Sequence, residues 1–148
     1  MSEKWDRRFL ELAGTVAQWS KDPSTKVGAV IVDAKNRVVS VGFNGFSRGT
    51  NDKVELYADR ELKLKQIIHA EINAILFAKQ DLEGCTLYVT PLAPCAQCAS
   101  AIIQSGISRV VSIPNRENSK WIEHMKLAQR NFKDANVSFE VLDIMRVT

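Results

Sequence analysis

The sequence has few of the residues that build disulfide frameworks, and it has no long hydrophobic run. Its 148 residues include three cysteines and two histidines. Three cysteines argue against a disulfide framework, so we expect thiols or metal ligands. The longest uncharged stretch covers residues 85–108, but prolines, glutamines and a glycine interrupt it, which excludes a membrane span.

The sequence also has little excess of one sign of charge, with 20 Lys and Arg against 17 Asp and Glu. The formal net charge is +3 and no dense Lys/Arg tract alternates with aromatic residues, so we expect no nucleic-acid partner. Residues 1–14 are rich in charge and lack the apolar segment of a signal peptide, so we expect a cytoplasmic protein with no membrane partner. The composition, 45% hydrophobic and 25% charged, suits one globular domain over residues 1–148.

Hydrophobic periodicity predicts alternating helices and strands. We expect helices over residues 4–20, 59–67, 69–80, 95–105 and 118–134, and strands over residues 27–33, 38–43, 85–90, 109–113 and 137–142. A short turn joins the first two strands as a hairpin. Helices separate the others, which indicates a largely parallel sheet covered on both faces. The predicted fold class is α/β, a three-layer α/β/α arrangement with a five-stranded mixed sheet. Trp5, Trp19 and Trp121 lie on apolar helical stripes, and we expect them in the core.

One histidine and two cysteines occur in a pattern typical of a metal site. Cys95 and Cys98 share the first turn of a predicted helix, which places both sulfurs on one side and favours thiolates. His69 begins another predicted helix, and the two helix N-termini can meet at one sheet edge. One imidazole and two thiolates suit Zn²⁺ and leave a fourth position open, as in zinc sites that activate water. Glu71 is then close enough to transfer a proton.

Other interpretations of these residues stay open at this point. The Cys-x-x-Cys pair could be a redox dithiol, although no thioredoxin-like context surrounds it. A closed structural zinc site could be completed by Cys85 or His124, and the domain would then be a zinc-stabilised binding module without catalysis. We expect Cys85 to be a small buried hydrophobe and His124 to lie on the surface.

The sequence HAE at residues 69–71, followed by PCAQC at residues 94–98, resembles the zinc-dependent cytidine/deoxycytidylate deaminases, whose Glu is the general acid/base. Three stretches are most similar to the deoxycytidylate (dCMP) deaminase branch: DPSTKVGAVIVD (22–33), GFNGFSRG (42–49) and HAEINAI (69–75). The predicted order of strands and helices also matches that family's fold. Transfer RNA adenosine deaminases share HAE but usually lack this Asn-Gly loop, and free-cytidine deaminases typically have Cys where His69 stands.

The resemblance implies hydrolytic deamination of dCMP to dUMP with release of ammonia, and one Zn²⁺ per chain as cofactor. It implies that His69, Cys95 and Cys98 hold the ion. Glu71 would take a proton from the activated water, deliver it to ring nitrogen N3 and help ammonia leave. The implied partner is a small-molecule deoxycytidine nucleotide, and the implied assembly is a homo-oligomer, often a hexamer in relatives. Substrates such as dCTP, a 5-modified cytosine nucleotide or a base in RNA stay open.

Candidate substrate contacts follow from the resemblance and from the need of a 5′-phosphate for cations. Lys26, Arg48 and Arg116 lie in or beside segments expected to border the pocket. Asn44 is expected to contact the sugar or base. The backbone N–H of Ala70 and the C=O groups around Thr90 and Pro91 are expected to orient the base.

The sequence departs from the family pattern at several positions. Phe43 stands where Tyr is common, and Ser47 where Pro is common. Gln80 lies near the place where some relatives have an Arg for a triphosphate effector, so the sequence gives no support for regulation by dCTP and dTTP. The spare Cys and His are too few for the second, structural zinc cluster of some relatives.

Overall fold

The computed structural model describes residues 2–115 and 119–144, and within them the helices and strands follow the expected order. In chain order they are α1 (Glu3–Ala17), β1 (Gly28–Val32), β2 (Val38–Phe43), a 3₁₀ helix (Val54–Ala58), α2 (Arg60–Gln66), α3 (Ala70–Ala78), β3 (Thr86–Thr90), α4 (Ala96–Gln104), β4 (Arg109–Ser112), α5 (Ser119–Asp134) and β5 (Ser138–Val141). The 3₁₀ helix lies between residues 43 and 59, where we expect neither a helix nor a strand from the sequence.

The strands form one mixed sheet in the order β2-β1-β3-β4-β5. The predicted five-stranded mixed sheet is confirmed. The sheet is less parallel than expected, however, because β1 is antiparallel to β3 as well as to β2, while β3, β4 and β5 are parallel. The reason is the strand order. The connection through α3 makes β2 and β3 run in the same direction, but β1 lies between them.

Helices cover both faces of the sheet, which confirms the three-layer arrangement. On one face α1 contributes Leu10 and Val16, which pack against Val30 and Tyr88. On the other face, helices α3, α4 and α5 contribute Ala74, Ile102 and Phe132. These side chains pack in one cluster with alternate strand residues such as Ile31 of β1 and Leu87 of β3. The alternation of apolar strand residues between two faces therefore builds two separate cores.

Helix α3 lies unusually close to the sheet because a glycine faces it. A Cβ atom on Gly42 of β2 would overlap the backbone of Ala70 and Ala74. The Ser40 hydroxyl donates to the Ala74 carbonyl oxygen at 2.7 Å, which holds the same helix to the same strand. The position of α3, and of the residues at its N-terminus, is thus set by backbone contact with β2.

A buried ion pair connects α1 to the sheet on the opposite face. The Arg109 guanidinium donates to both Asp6 carboxylate oxygens, at 2.8 and 2.7 Å, and the Tyr88 hydroxyl donates to Asp6 at 2.6 Å. Although burial opposes the shift, these hydrogen bonds hold the pKa of Asp6 below its ordinary value. Arg109 also pairs with Glu140 of β5.

None of the three tryptophans lies in the buried core, so that expectation is wrong. Trp121 is half-buried and belongs to neither core. Trp19 is 55% exposed because α1 ends at Ala17, before the apolar stripe reaches it. Trp5 is partly exposed and stacks on Phe9. None of the helices within the described ranges is both long enough and apolar enough to cross a lipid bilayer.

Candidate active site

Two helix N-termini meet at one edge of the sheet and supply the predicted metal ligands. His69 is the N-cap of α3 and Cys95 is the N-cap of α4, each with extended backbone. A pair of backbone hydrogen bonds between Gly45 and Ile68, at 3.0 and 2.8 Å, fixes the chain just before His69. The Cys95 sulfur accepts a hydrogen bond from the Cys98 backbone N–H at 3.4 Å, which orients the first turn of α4.

The side chains of His69, Cys95 and Cys98 converge on one point. His69 Nδ1 lies 3.2 Å from Cys98 Sγ and 3.6 Å from Cys95 Sγ. All three ligand atoms lie within 4.8 Å of one another. Tetrahedral Zn²⁺ has bonds of about 2.0–2.1 Å to His and about 2.3 Å to Cys, which place such ligand atoms roughly 3.5 Å apart. The spacing therefore fits a zinc ion with one open position.

Charge also favours a cation in this cluster. A hydrogen bond from Cys98 lowers the pKa of the Cys95 thiol to about 4. The same hydrogen bond and burial raise the pKa of the Cys98 thiol, and the Glu71 carboxyl contributes further. Glu71 is only 4% exposed, and burial raises its pKa to about 7. Two thiols and a carboxyl group cannot all lose their protons so close together in a buried site unless a cation offsets the negative charges.

The spare histidine and cysteine lie outside this cluster. Cys85 is buried just before the first residue of β3, whereas the two cysteine ligands follow Thr90, the last residue of that strand. His124 is exposed on α5 beside Trp121. In the part of the chain that the structure describes, the group of close metal-binding side chains contains His69, Cys95 and Cys98 alone. Three protein ligands and an open position are typical of a catalytic rather than a structural zinc site.

A cavity of about 330 Å³ opens beside the cluster, and its wall includes His69, Ala70 and Glu71. Ala70 is the first residue of α3, so its backbone N–H has no acceptor within the helix and can donate to a ligand. The remaining lining residues come from the loop before β1, from Asn44, from the α2 region, from the segment after β3 and from α5: Asp22, Ser24, Thr25, Val27, Asn44, Arg60, Lys63, Leu64, Ile67, Leu92, Ala93 and Trp121.

Asp22 organises one side of this cavity. Its side chain is completely buried and pairs with the Lys63 ammonium at 2.6 Å. Although burial opposes the shift, hydrogen bonds from Lys63, Ser24 and Thr25 hold the pKa of Asp22 below its ordinary value. The Asn44 amide donates to Asp22 at 3.3 Å and to the Thr25 carbonyl at 2.9 Å, and its oxygen accepts from the Val27 N–H at 2.9 Å. Asn44 therefore fixes the loop before β1 as well as lining the cavity.

The other predicted contacts lie farther from the cavity. The Lys26 ammonium donates to the Ser20 carbonyl oxygen, and Lys26 does not line the cavity. Arg48 is exposed in the loop after β2. Thr90 is buried at the end of β3, and the Thr90–Pro91 peptide bond is cis. Neither Thr90 nor Pro91 lines the cavity, although the two residues that follow them do. Arg116 lies outside the described residues.

Sequence reasoning missed Arg60, Lys63 and Trp121 as cavity residues. Arg60 and Lys63 belong to a short helix whose lining residues follow the spacing i, i+3, i+4 and i+7. That spacing was present in the sequence and could have indicated one face of a helix. Trp121 sits on an apolar stripe of α5, so its pattern alone does not separate a core residue from a pocket wall.

The chain matches known proteins over most of its length. Residues 3–113 match the family model described as the cytidine and deoxycytidylate deaminase zinc-binding region. An Aliivibrio fischeri protein, described as an uncharacterized deaminase in the luxG 3′ region, is 48% identical over 99% of this chain and 100% of its own length. Human deoxycytidylate deaminase is 37% identical over 92% of this chain and 78% of its own length.

A solved structure shares the fold. The dCMP deaminase of the cyanophage S-TIM5, crystallised in complex with dCMP and dUMP, superposes with a TM-score of 0.74. The match covers 96% of this chain and 99% of the phage protein, at 20% identity.

Proposed function

Since the chain belongs to the cytidine and deoxycytidylate deaminase family, we propose that it catalyses the hydrolytic deamination of dCMP to dUMP with release of ammonia. The observation that carries the proposal is the convergence of a His-Cys-Cys ligand set with a buried carboxyl at the wall of one cavity. Proteins of 36–38% identity that bear the name deoxycytidylate deaminase, matched over 78% of their length, support dCMP as the substrate.

The proposed cofactor is one Zn²⁺ per chain, held by His69, Cys95 and Cys98. When bound, zinc supplies Lewis-acid activation of a water molecule at neutral pH. The ligands themselves neutralise most of the ion's charge, because two of them are thiolates. They would also hold it against the cavity wall, since the Gly45–Ile68 hydrogen bonds fix the chain before α3 and the Cys98 N–H bond to Cys95 orients the first turn of α4.

Glu71 is the proposed proton carrier. Its carboxyl is buried beside the ligand set, and burial raises its pKa to about 7, close to the pH at which the enzyme must both accept and donate a proton. A bound cation would lower this pKa and favour the carboxylate, which is the form that accepts a proton. Glu71 can then carry one proton of the attacking water to ring nitrogen N3 of cytosine and afterwards the other to the departing amino group, so that the water oxygen becomes the C4 carbonyl and ammonia leaves.

Backbone groups orient the base in this proposal. The free N–H of Ala70 lies in the cavity wall next to Glu71 and is available to the base. The C=O groups around Thr90 and Pro91 are proposed to accept from the amino group. Asn44, Lys26, Arg48 and Arg116 stay as predicted contacts to the sugar or phosphate.

We also propose a homo-oligomer, with a hexamer as one expected size. Helix α3 is apolar on its outer face as well, and Leu76 and Phe77 are each 54% exposed there. A helix apolar on all sides is usually covered. Analytical ultracentrifugation of the wild type and of Phe77→Lys tests this, since a monomeric wild type would contradict it.

The function is tested by measuring ammonia release from a nucleotide panel with zinc-loaded protein. The panel comprises dCMP, deoxycytidine, dCTP, 5-methyl-dCMP and a cytosine-containing RNA oligonucleotide. The proposal predicts the highest kcat/KM with dCMP. A higher kcat/KM with dCTP or with the oligonucleotide would keep the chemistry but refute the substrate, and no release from any of them would refute the deaminase assignment.

A further inference from the structure

The cavity has a second polar end, formed by helix α2. Arg60, Lys63, Leu64 and Ile67 all line it, and their spacing places them on one face of the helix and its C-cap. Ile67 is two residues before His69, whereas Arg60 is at the opposite end of α2. A rise of 1.5 Å per residue puts these two ends about 10 Å apart. That span is comparable to the separation of the base and the 5′-phosphate in a nucleotide.

The two cations of this face differ in their partners. Lys63 contacts the buried Asp22 carboxylate at 2.6 Å and the Ser24 hydroxyl at 3.2 Å, so its charge is offset within the protein. Within residues 2–115 and 119–144, Arg60 has no ion-pair partner, and it is exposed. The carboxyl of Glu71 lies at the other end of the cavity, with the metal ligands. The α2 end therefore has one uncompensated positive charge.

We propose that Arg60, assisted by Lys63, binds the 5′-phosphate of the substrate and makes the enzyme selective for a nucleoside monophosphate. This inference rests on the proposed function and identifies the residues that determine how many phosphates the substrate carries. A phosphate monoester carries about −1.5 to −2 charge at pH 7, which the unpaired Arg60 guanidinium can bind through charge-assisted hydrogen bonds while the Lys63 ammonium adds a further N–H donor. A triphosphate adds further negative charge, and the described cavity wall offers no Lys or Arg beyond Arg60 and Lys63 to bind it.

Asp22 is a positioning residue in this arrangement. It holds the Lys63 ammonium at a fixed point of the wall and holds Asn44 through its amide. Helix α2 buries none of its own residues. The Lys63–Asp22 pair is therefore an important attachment of α2, the helix that carries Arg60, to the loop before β1.

This assignment differs from the one that the sequence suggested. Lys26 is committed to the Ser20 carbonyl oxygen, and Arg48 lies in the exposed loop after β2. Neither lines the cavity, whereas Arg60 and Lys63 both do. Neutralising variants of all four cations can be compared directly.

The test is steady-state kinetics of zinc-loaded Arg60→Gln, with Lys65→Gln as the matched control. Lys65 lies on the same helix, is exposed and pairs with Glu61, but does not line the cavity. We expect Arg60→Gln to lower kcat/KM for dCMP roughly ten- to a hundredfold, as for the loss of a charge-assisted hydrogen bond, and to leave deoxycytidine nearly unchanged. Arg60→Lys should recover part of the loss, because it keeps the charge but not the bidentate geometry. Lys65→Gln should match the wild type with both substrates.

Binding of the products separates this inference from the proposed function. Calorimetry should show that Arg60→Gln weakens the binding of dUMP about tenfold or more and leaves deoxyuridine binding unchanged. A wild type that deaminates dCMP while Arg60→Gln is silent in both assays overturns the inference and leaves the proposed function intact. A wild type that does not deaminate dCMP refutes the proposed function, and the dUMP measurement then still decides whether Arg60 recognises phosphate. Equal losses with dCMP and deoxycytidine would also overturn the inference.

Discussion

Replacing Gly42 with alanine should destabilise the protein through a single contact. The added Cβ would overlap the backbone of Ala70 and Ala74 in α3. Inserting a methyl group into a packed interior usually costs about 1–3 kcal/mol. Here the obstacle is helix backbone, which cannot rotate away as a side chain can, so we expect the upper part of that range, about 2–3 kcal/mol. For a chain of this size such a loss lowers the melting temperature by about 5–10 °C.

The same change should weaken metal binding, because the first turn of α3 positions His69. The assays are chemical denaturation at one fixed protein concentration and competition with a zinc chelator. Gly14→Ala is the control: a Cβ at this helical position would be 3.9 Å from its nearest neighbour, Thr90 Oγ1. It should raise the free energy of unfolding by about 0.5–1 kcal/mol, since glycine is unfavourable inside a helix. A Gly42→Ala protein as stable as the wild type, with normal zinc affinity, would show that α3 does not depend on this close approach.

Two further predictions concern the metal and the buried ion pair. Purified protein should contain about one Zn²⁺ per chain by elemental analysis. Cys98→Ser should lose the ion and Cys85→Ala should keep it. Loss of zinc in Cys85→Ala would instead favour a closed structural site. Asp6→Asn should lower the free energy of unfolding at pH 7 by about 3 kcal/mol, because it leaves Arg109 with Glu140 as its one acidic partner among the described residues. The pKa of Asp6 is lowered by folding, so its contribution is present above the unfolded pKa and is lost as pH falls through the folded pKa; the difference between wild type and variant should therefore shrink in acid. A difference that stays constant between pH 7 and pH 3 would contradict this account.

The part of the site that could be predicted from the sequence consists of two local motifs. His69 and Glu71 are two residues apart, and Cys95 and Cys98 three, so each pair is placed by the first turn of one helix. The meeting of the two helix N-termini follows from their common position at one sheet edge. One imidazole and two thiolates then favour Zn²⁺ as the bound ion.

Which cationic side chains line the cavity could not be predicted in the same way. Lys26 lies in a stretch shared with the family, but its ammonium turns to the Ser20 carbonyl, a contact that only the folded loop creates. Lys63 is fixed by Asp22, 41 residues earlier in the chain, and no local pattern indicates that pair. The antiparallel pairing of β1 with β3 could not be predicted for a similar reason. Local periodicity does not show that the chain, after leaving β2, crosses β1 and adds β3 on the far side of it.

The most direct test of the account is formation of dUMP from dCMP by zinc-loaded wild type and Glu71→Gln, with zinc content measured on the same samples. Glu11→Gln, an exposed change on α1, is the control. The account predicts that the wild type and Glu11→Gln form dUMP and ammonia in equal amounts. Glu71→Gln should keep its zinc and its fold but lose activity by at least about 10²–10⁴-fold, the usual contribution of general acid/base catalysis. A Glu71→Gln protein that keeps zinc and forms dUMP at the wild-type rate would contradict the central role assigned to this carboxyl.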